Sequence, residues 1–201
     1  MPLLRGNLHT HTTFSDGELP MEDAVRRYRD LGYDFVAVTD HEPGIRPAYW
    51  SAIPRSTPEF LVFAGLELSY PYLGGQHIGM VNGDDEKLYV FNHPNVFGLT
   101  VADVCAAVAA VSSRIEIHAV ETTHHGRYLP EYDVPELPFQ KVATDDAHGP
   151  EEFGRAWIEV EARRGKDAIL RAIKAGDFRL AFRDPVSRVG TDARPATQAR
   201  R

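Results

Sequence analysis

The stretch ELPMEDAVRRYRDLGYDFVAVTDH, residues 18–41, holds a helix, a stop and a strand in succession. Pro20 suits a first helical position, where a backbone N–H has no partner to lose. Met21, Ala24, Val25, Tyr28 and Leu31 recur at helical spacing and form one apolar stripe. Gly32 ends it. FVAVTD, residues 35–40, then reads as a buried strand, and the chain leaves that strand on Asp40 and His41.

The same alternation continues outward. FLVFAGLEL (60–68) is an apolar, aromatic-rich strand, and HIGMVN and YVFN are shorter ones. Thr100 is placed to cap a helix carrying Val101, Val104, Cys105, Val108 and Val111 inward. IEIHAVE (115–121), KVATDD (141–146), AWIEVEA (156–162) and FRLAF read as strands, and GKDAILRAIKAG (165–176) as a helix ending at Gly176. Strands alternating with helices predict an α/β fold with a mainly parallel sheet. The histidines and acids gather at strand ends, and in a parallel barrel the carboxyl ends of the strands converge on one face. Ligands from so many strands call for a closed ring rather than an open sheet. The expectation is therefore one barrel domain over residues 1–184 and a C-terminal tail over 185–201, rich in Arg, Pro, Ala and Thr and lying partly outside the core.

Composition narrows the function. The chain has 201 residues, 43% hydrophobic and 25% charged, an ordinary globular balance. Its formal charge of −7 argues against a binder of long nucleic acid, which needs a basic surface. An anionic small-molecule substrate stays compatible, because bound divalent cations make an acidic protein locally electropositive. No apolar run has membrane-spanning length, and MPLLRGNLH lacks a signal-peptide core, so a cytoplasmic protein is expected. Cys105 is the single cysteine and belongs to a helical stripe, where packing is its role. Oligomeric state is not readable.

In GNLHTHTTFSDG (6–17), His9 and His11 stand two apart, and on a strand such side chains point the same way. Asp146 and His148 repeat the arrangement in DDAH. The strand-end candidates are His9, His11, Asp16, His41, Glu67, His77, His93, Asp146 and His148. Imidazole suits Zn, Fe and Mn, and carboxylates can bridge two ions; this donor set is too large for one ion and about right for three. Each member also has an ordinary reading: SDG around Asp16 and NHPN around His93 have turn composition, and Glu67 can pair with an arginine. The weight rests on the joint pattern. His118, inside its strand, is assigned a structural role.

NLHTHTTFSDG, VAVTDH, GLEL, the HP after a strand and DDAH, in that order, resemble the successive motifs of the PHP (polymerase and histidinol phosphatase) family. The resemblance implies a distorted parallel (β/α)7-type barrel with a hydrolytic centre of two or three divalent ions (Zn, Mn or Fe) at the C-terminal ends of the strands. It also implies a division of ligands: His9, His11, Glu67 and Asp146 on one ion, Glu67, His77 and His93 on a second with Glu67 bridging, and Asp16, His41 and His148 on a third. GNLHTHT, YRDLGYDFVAVTDH and DDAHG are further similar to the branch that includes the carbaryl hydrolases, although GDFRLAFRDP lacks the aromatic and serine common there.

The implied chemistry is hydrolysis by a metal-bound hydroxide, with no serine or cysteine nucleophile. Its substrate is a small phosphoester, or alternatively a carboxyl or carbamate ester; a non-catalytic metal-binding module is the reading of another class. Arg46, His124, His125 and Arg127 follow strands and are the expected substrate contacts. Asp40, Asp145 and Asn7 are placed to fix histidine tautomers, with turn capping an equal reading for Asp40 and Asp145.

Overall fold

The computed structural model describes residues 1–42, 45–70 and 75–184, so the tail expected over 185–201 lies outside the described residues. Strand β1 (Leu3–Asn7) leads to helix α1 (Met21–Asp30) and β2 (Phe35–Val38). A short α2 (Pro47–Ala52) precedes β3 (Leu61–Tyr70), β4 (Gln76–Asn82) and β5 (Lys87–Phe91). Helix α3 (Val101–Val111) is followed by β6 (Ala119–Glu121), a hairpin of β7 (Thr123–His124) and β8 (Arg127–Tyr128), and β9 (Gln140–Val142). The described part ends with β10 (Ala156–Glu161), α4 (Lys166–Ala175) and β11 (Phe178–Phe182). None of the described helices is long and apolar enough to cross a membrane.

Nine strands form one sheet in the order β11-β10-β1-β2-β3-β4-β5-β6-β9. β1–β2, β2–β3, β5–β6 and β6–β9 pair in parallel; β1–β10, β10–β11, β3–β4 and β4–β5 are antiparallel. Only β4 and β10 therefore run against the common direction. Thr10 bridges Ala147 in parallel, and His11 N–H donates to the Ala147 carbonyl at 3.0 Å. The chain beyond β9 thus returns to the end of β1, and the sheet nearly closes into a barrel. The fold is the expected α/β barrel, distorted by the two reversed strands.

Strand β2 shows how pattern becomes packing. All four of its residues are fully buried. Val36 and Val38 pack with Met21, Ala24, Val25 and Tyr28 of α1. Phe35 and Ala37 join Phe63, Val81, Leu88 and Val142 in the cluster that α4 supplies with Ile169, Leu170 and Ile173. Fully burying one such valine or phenylalanine contributes roughly 1.5–3 kcal/mol. Gly32, at φ 78°, stops α1 in the left-handed region, where a Cβ is strained. Thr100 and Asp103 form a reciprocal cap at the start of α3, with Thr100 Oγ1 accepting from Asp103 N–H at 3.2 Å. Cys105 is half-buried and packs against the α3 cluster.

Two strands are shorter than their apolar runs. IEIHAVE pairs as a strand only over 119–121, and KVATDD only over 141–142, with Gln140 before it. Beyond Val142 the chain bends inward to the barrel mouth, where Asp146 has φ 47°. That bend brings Asp146 to the histidines of β1.

Candidate metal centre

Six of the common-direction strands, β1, β2, β3, β5, β6 and β9, carry or lead to polar side chains at one mouth of the barrel. The segment after β1 is held by Asn7, whose Oδ1 accepts from His9 N–H at 2.9 Å and whose amide donates to the Ala156 carbonyl at 3.2 Å. His9 Nε2 and His11 Nε2 then lie 3.0 Å apart. Glu67 Oε1 is 3.3 Å from His9 Nε2, and its Oε2 is 3.4 Å from His11 Nε2. Asp146 Oδ1 lies 3.3 Å and 3.4 Å from the same two nitrogens. Tetrahedral ligation at the usual bond lengths separates donor atoms by about 3.3 Å. Each carboxylate keeps about that spacing from the two histidine nitrogens.

Two further groups adjoin this pocket. Glu67 Oε1 is 3.0 Å from His93 Nε2 and 3.3 Å from His77 Nδ1. At the rim, Asp16 lies 3.3 Å from His11 Nδ1, 3.3 Å from His41 Nε2 and 3.5 Å from His148 Nε2. His41 Nδ1 closes the chain of contacts at 3.1 Å from Glu67 Oε2. All nine residues expected as ligands meet in one continuous cluster. Glu67 can reach so many because Gly79 is its cross-strand partner. A Cβ at Gly79 would lie 2.9 Å from Asn92 Oδ1, and Asn92 occupies that space to donate to Glu67 Oε1 at 2.8 Å.

The cluster suits cations on its own chemistry. Glu67 Oε2, Asp146 Oδ1, His77 Nδ1 and His93 Nδ1 are buried without a hydrogen-bond partner, which is costly unless another group satisfies them. Burial pulls the His11 imidazole down, but the adjacent carboxylates of Asp146, Asp16 and Glu67 override it and push it up to about 10. His9 is likewise raised against burial by Asp146, Glu67 and Glu121. Burial acts to raise Glu67 and Asp146, yet the surrounding histidines hold both well below the usual carboxylate range. Protons on imidazole thus balance charge that divalent ions would balance. His93, His125 and Asp146 are the non-glycine residues with positive φ among the described ones, and all three belong to this mouth. Such backbone persists where the surrounding structure over-determines it.

Residues 7–88 match the family model of the PHP domain, and residues 135–178 match that of the PHP-associated region. The chain carries a PHP domain. The two matched segments contain eight of the nine clustered residues and leave out His93. The PHP fold is shared with a two-domain protein of Bacteroides vulgatus containing a predicted PHP-like metal-dependent phosphoesterase, at TM-score 0.66 and 18% identity. That match covers 90% of this chain and 65% of the Bacteroides chain. PsfC from Pseudomonas syringae aligns at TM-score 0.60 and 12% identity, over 90% of this chain and 92% of its own. An uncharacterized protein of Methanocaldococcus jannaschii, MJ1295, is 53% identical over 38 residues, 19% of this chain and 17% of that one.

The cluster is also backed by a carboxylate that the sequence pattern does not single out. Glu121, at the end of β6, is fully buried, with Oε1 3.1 Å from His9 Nδ1. Its Oε2 accepts from His93 N–H at 2.8 Å, and Thr144 Oγ1 donates to its Oε1. The available signal was a carboxylate closing an apolar run, as Glu67 does in GLEL. The three residues considered for tautomer control touch no histidine ring. Asp40 accepts from Thr12 N–H at 2.8 Å and from Ser15 Oγ at 2.7 Å, ordering the turn that carries Asp16. Asp145 accepts from the backbone of Gly154, Arg155 and Ala156 at 2.6, 2.7 and 2.8 Å. Turn capping is their role. His118 is structural as expected, its Nδ1 accepting from Tyr89 N–H at 3.1 Å.

The four expected substrate contacts separate. His124 Nε2 is 3.9 Å from Asp146 Oδ2, and His125 Nδ1 is 3.1 Å from the Asp146 carbonyl. Arg127 pairs across the hairpin with His124, so both side chains occupy one face. Arg46 is exposed at the start of α2 and makes no ion pair among the described residues.

Proposed function

We propose that this PHP domain hydrolyses a small, anionic phosphoester with two or three divalent ions, Zn, Mn or Fe, held by His9, His11, Asp16, His41, Glu67, His77, His93, Asp146 and His148. The carrying observation is Glu67, whose two oxygens lie within 3.4 Å of donors from every group of the cluster. Ions bound here supply a water of lowered pKa and polarise the phosphoryl oxygen. Glu67, with an oxygen toward each group of donors, would hold ions in adjacent sites, and these would supply positive charge to the reacting phosphoryl group. His124 and His125, half-buried above Asp146, border the space a leaving group occupies.

Support for an anionic substrate comes from the hairpin. Behind its tip a cleft of about 520 Å³ is lined by Gly126, Arg127, Tyr128, Arg155, Phe182, Arg183 and Asp184, three arginines against one carboxylate. Arg155 Nη1 donates to the His125 carbonyl at 3.1 Å, and Arg183 Nε to that of Gly154 at 3.1 Å. Arg127 forms no ion pair among the described residues, so its charge is available to phosphate. The Bacteroides protein's description as a phosphoesterase points the same way.

The test is turnover of aryl phosphates, nucleotides and naphthyl carbamates by metal-reconstituted protein. Phosphate release is the expected result. Ester cleavage without any phosphate turnover would transfer the assignment to carboxyl or carbamate esters. Stoichiometric metal uptake with no turnover of either class would make the domain a binding module.

A further inference from the structure

Glu121 lies behind the ligands, on the side away from the shared donors. Its Oε1 meets His9 Nδ1, the nitrogen opposite the Nε2 that faces Glu67 and Asp146. Its Oε2 accepts the backbone N–H of His93, whose own Nε2 faces Glu67 Oε1. His9 and His93 come from different strands and belong to different groups of the cluster. One carboxylate therefore grips the ring of one ligand and the backbone of another.

We propose that Glu121 is a positioning residue that couples two of the ion sites: it fixes His9 as the Nδ1–H tautomer with Nε2 free for an ion, and it seats the strained His93 backbone so that this ring reaches the neighbouring ion. The inference rests on the metal-dependent reading of the cluster. Three donors converge on the carboxylate, from His9 Nδ1, Thr144 Oγ1 and His93 N. A carboxylate accepts at both oxygens, whereas an amide of the same shape offers one accepting atom and turns N–H groups toward at least one of these donors. Glutamine is thus isosteric but mismatched. The backbone of Glu121 pairs in register with β9, so the side chain has a fixed base to act from. Outer carboxylates on metal-bound histidine orient the ring and raise its basicity.

The test compares Glu121→Gln with Asp16→Asn and the unsubstituted protein, each stripped and reloaded with Zn²⁺ against a chromophoric chelator. Glu121→Gln should weaken two ions by roughly 10–100-fold, whereas Asp16→Asn should weaken one. Nitrogen NMR of the Zn²⁺-loaded unsubstituted protein should show His9 protonated at Nδ1, with that signal shifted or lost in Glu121→Gln. A purely structural role predicts otherwise: a lower melting temperature for the metal-free variant, unchanged ion affinities and an unchanged His9 signal. That outcome overturns the inference. Weakening of a single ion overturns the coupling. Failure of the unsubstituted protein to take up Zn²⁺ overturns the metal-dependent reading itself and is distinguished by that control.

Discussion

The inner pocket and the rim use the same donor types in opposite surroundings. The side chains of His9, His11, Glu67 and Asp146 are 2%, 0%, 1% and 3% exposed. Those of Asp16, His41 and His148 are 53%, 24% and 26% exposed. A cation in the inner pocket is held by donors that water cannot replace, so losing it leaves buried polar atoms unsatisfied. A rim ion exchanges its ligands for water at little cost. On the proposed metal-dependent reading, the difference predicts graded affinity within one cluster, with an ion in the inner pocket held more tightly than one at the rim.

The harshest way to break this comparison is Glu67→Ala. Because Glu67 touches both regions, metal analysis after reconstitution should show more than one ion lost per chain, with hydrolysis abolished. Loss of a single ion would refute its bridging position. Next, pH should separate the regions. In the metal-free protein His11 is raised from 6.5 to about 10, so its stabilising contribution is complete below pH 6.5 and fades as pH rises toward about 10. Glu67 and Asp146 are held low, and their contribution, present above the ordinary carboxylate range, is lost on acidification. Inner ions must expel protons, so their affinity should climb through neutral pH with proton release, read by calorimetry in buffers of different ionisation enthalpy. Burial foremost lowers His41 and His148, which are already neutral there, so the rim ion should show the weaker dependence.

Asp16→Asn sharpens the contrast at smaller amplitude. It should remove the outer ion by elemental analysis while the inner ions remain. The smallest effect concerns the arginines. Arg127→Ala should raise KM for a phosphate substrate several-fold with kcat little changed, whereas Arg46→Ala should leave both constants unaltered. Equal effects would erase the distinction that the hairpin pairing draws between them.

The readable parts of the molecule share a physical origin. The α1 stripe and the wholly apolar β2 are local periodicities, and the helix and strand form where those patterns occur. Histidine and carboxylate at strand ends declare ligand chemistry by type, and all nine are brought together. What escaped depends on the third dimension. The run 115–121 looks like one long strand, but only 119–121 pair as a ladder, and the bonds of His118 to the backbone of Tyr89 and Gln140 are the last before it. Asp40 and Asp145 sit next to ligands in sequence, yet their carboxylates turn to backbone amides nearby instead of to imidazole.

Helix, strand, donor identity and the absence of a thiolate site were determined by the sequence itself, since each follows from neighbouring residues or from side-chain chemistry. Tertiary structure alone decided which donors share a space. Asp16 and Asp146 are the same residue type, and only the bend after β9 buries one while the turn after β1 exposes the other. Glu121 stands 112 residues from His9, and nothing short of the barrel's closure puts a carboxylate behind that ring. Proximity across such distances comes from packing the whole chain, which no local pattern encodes.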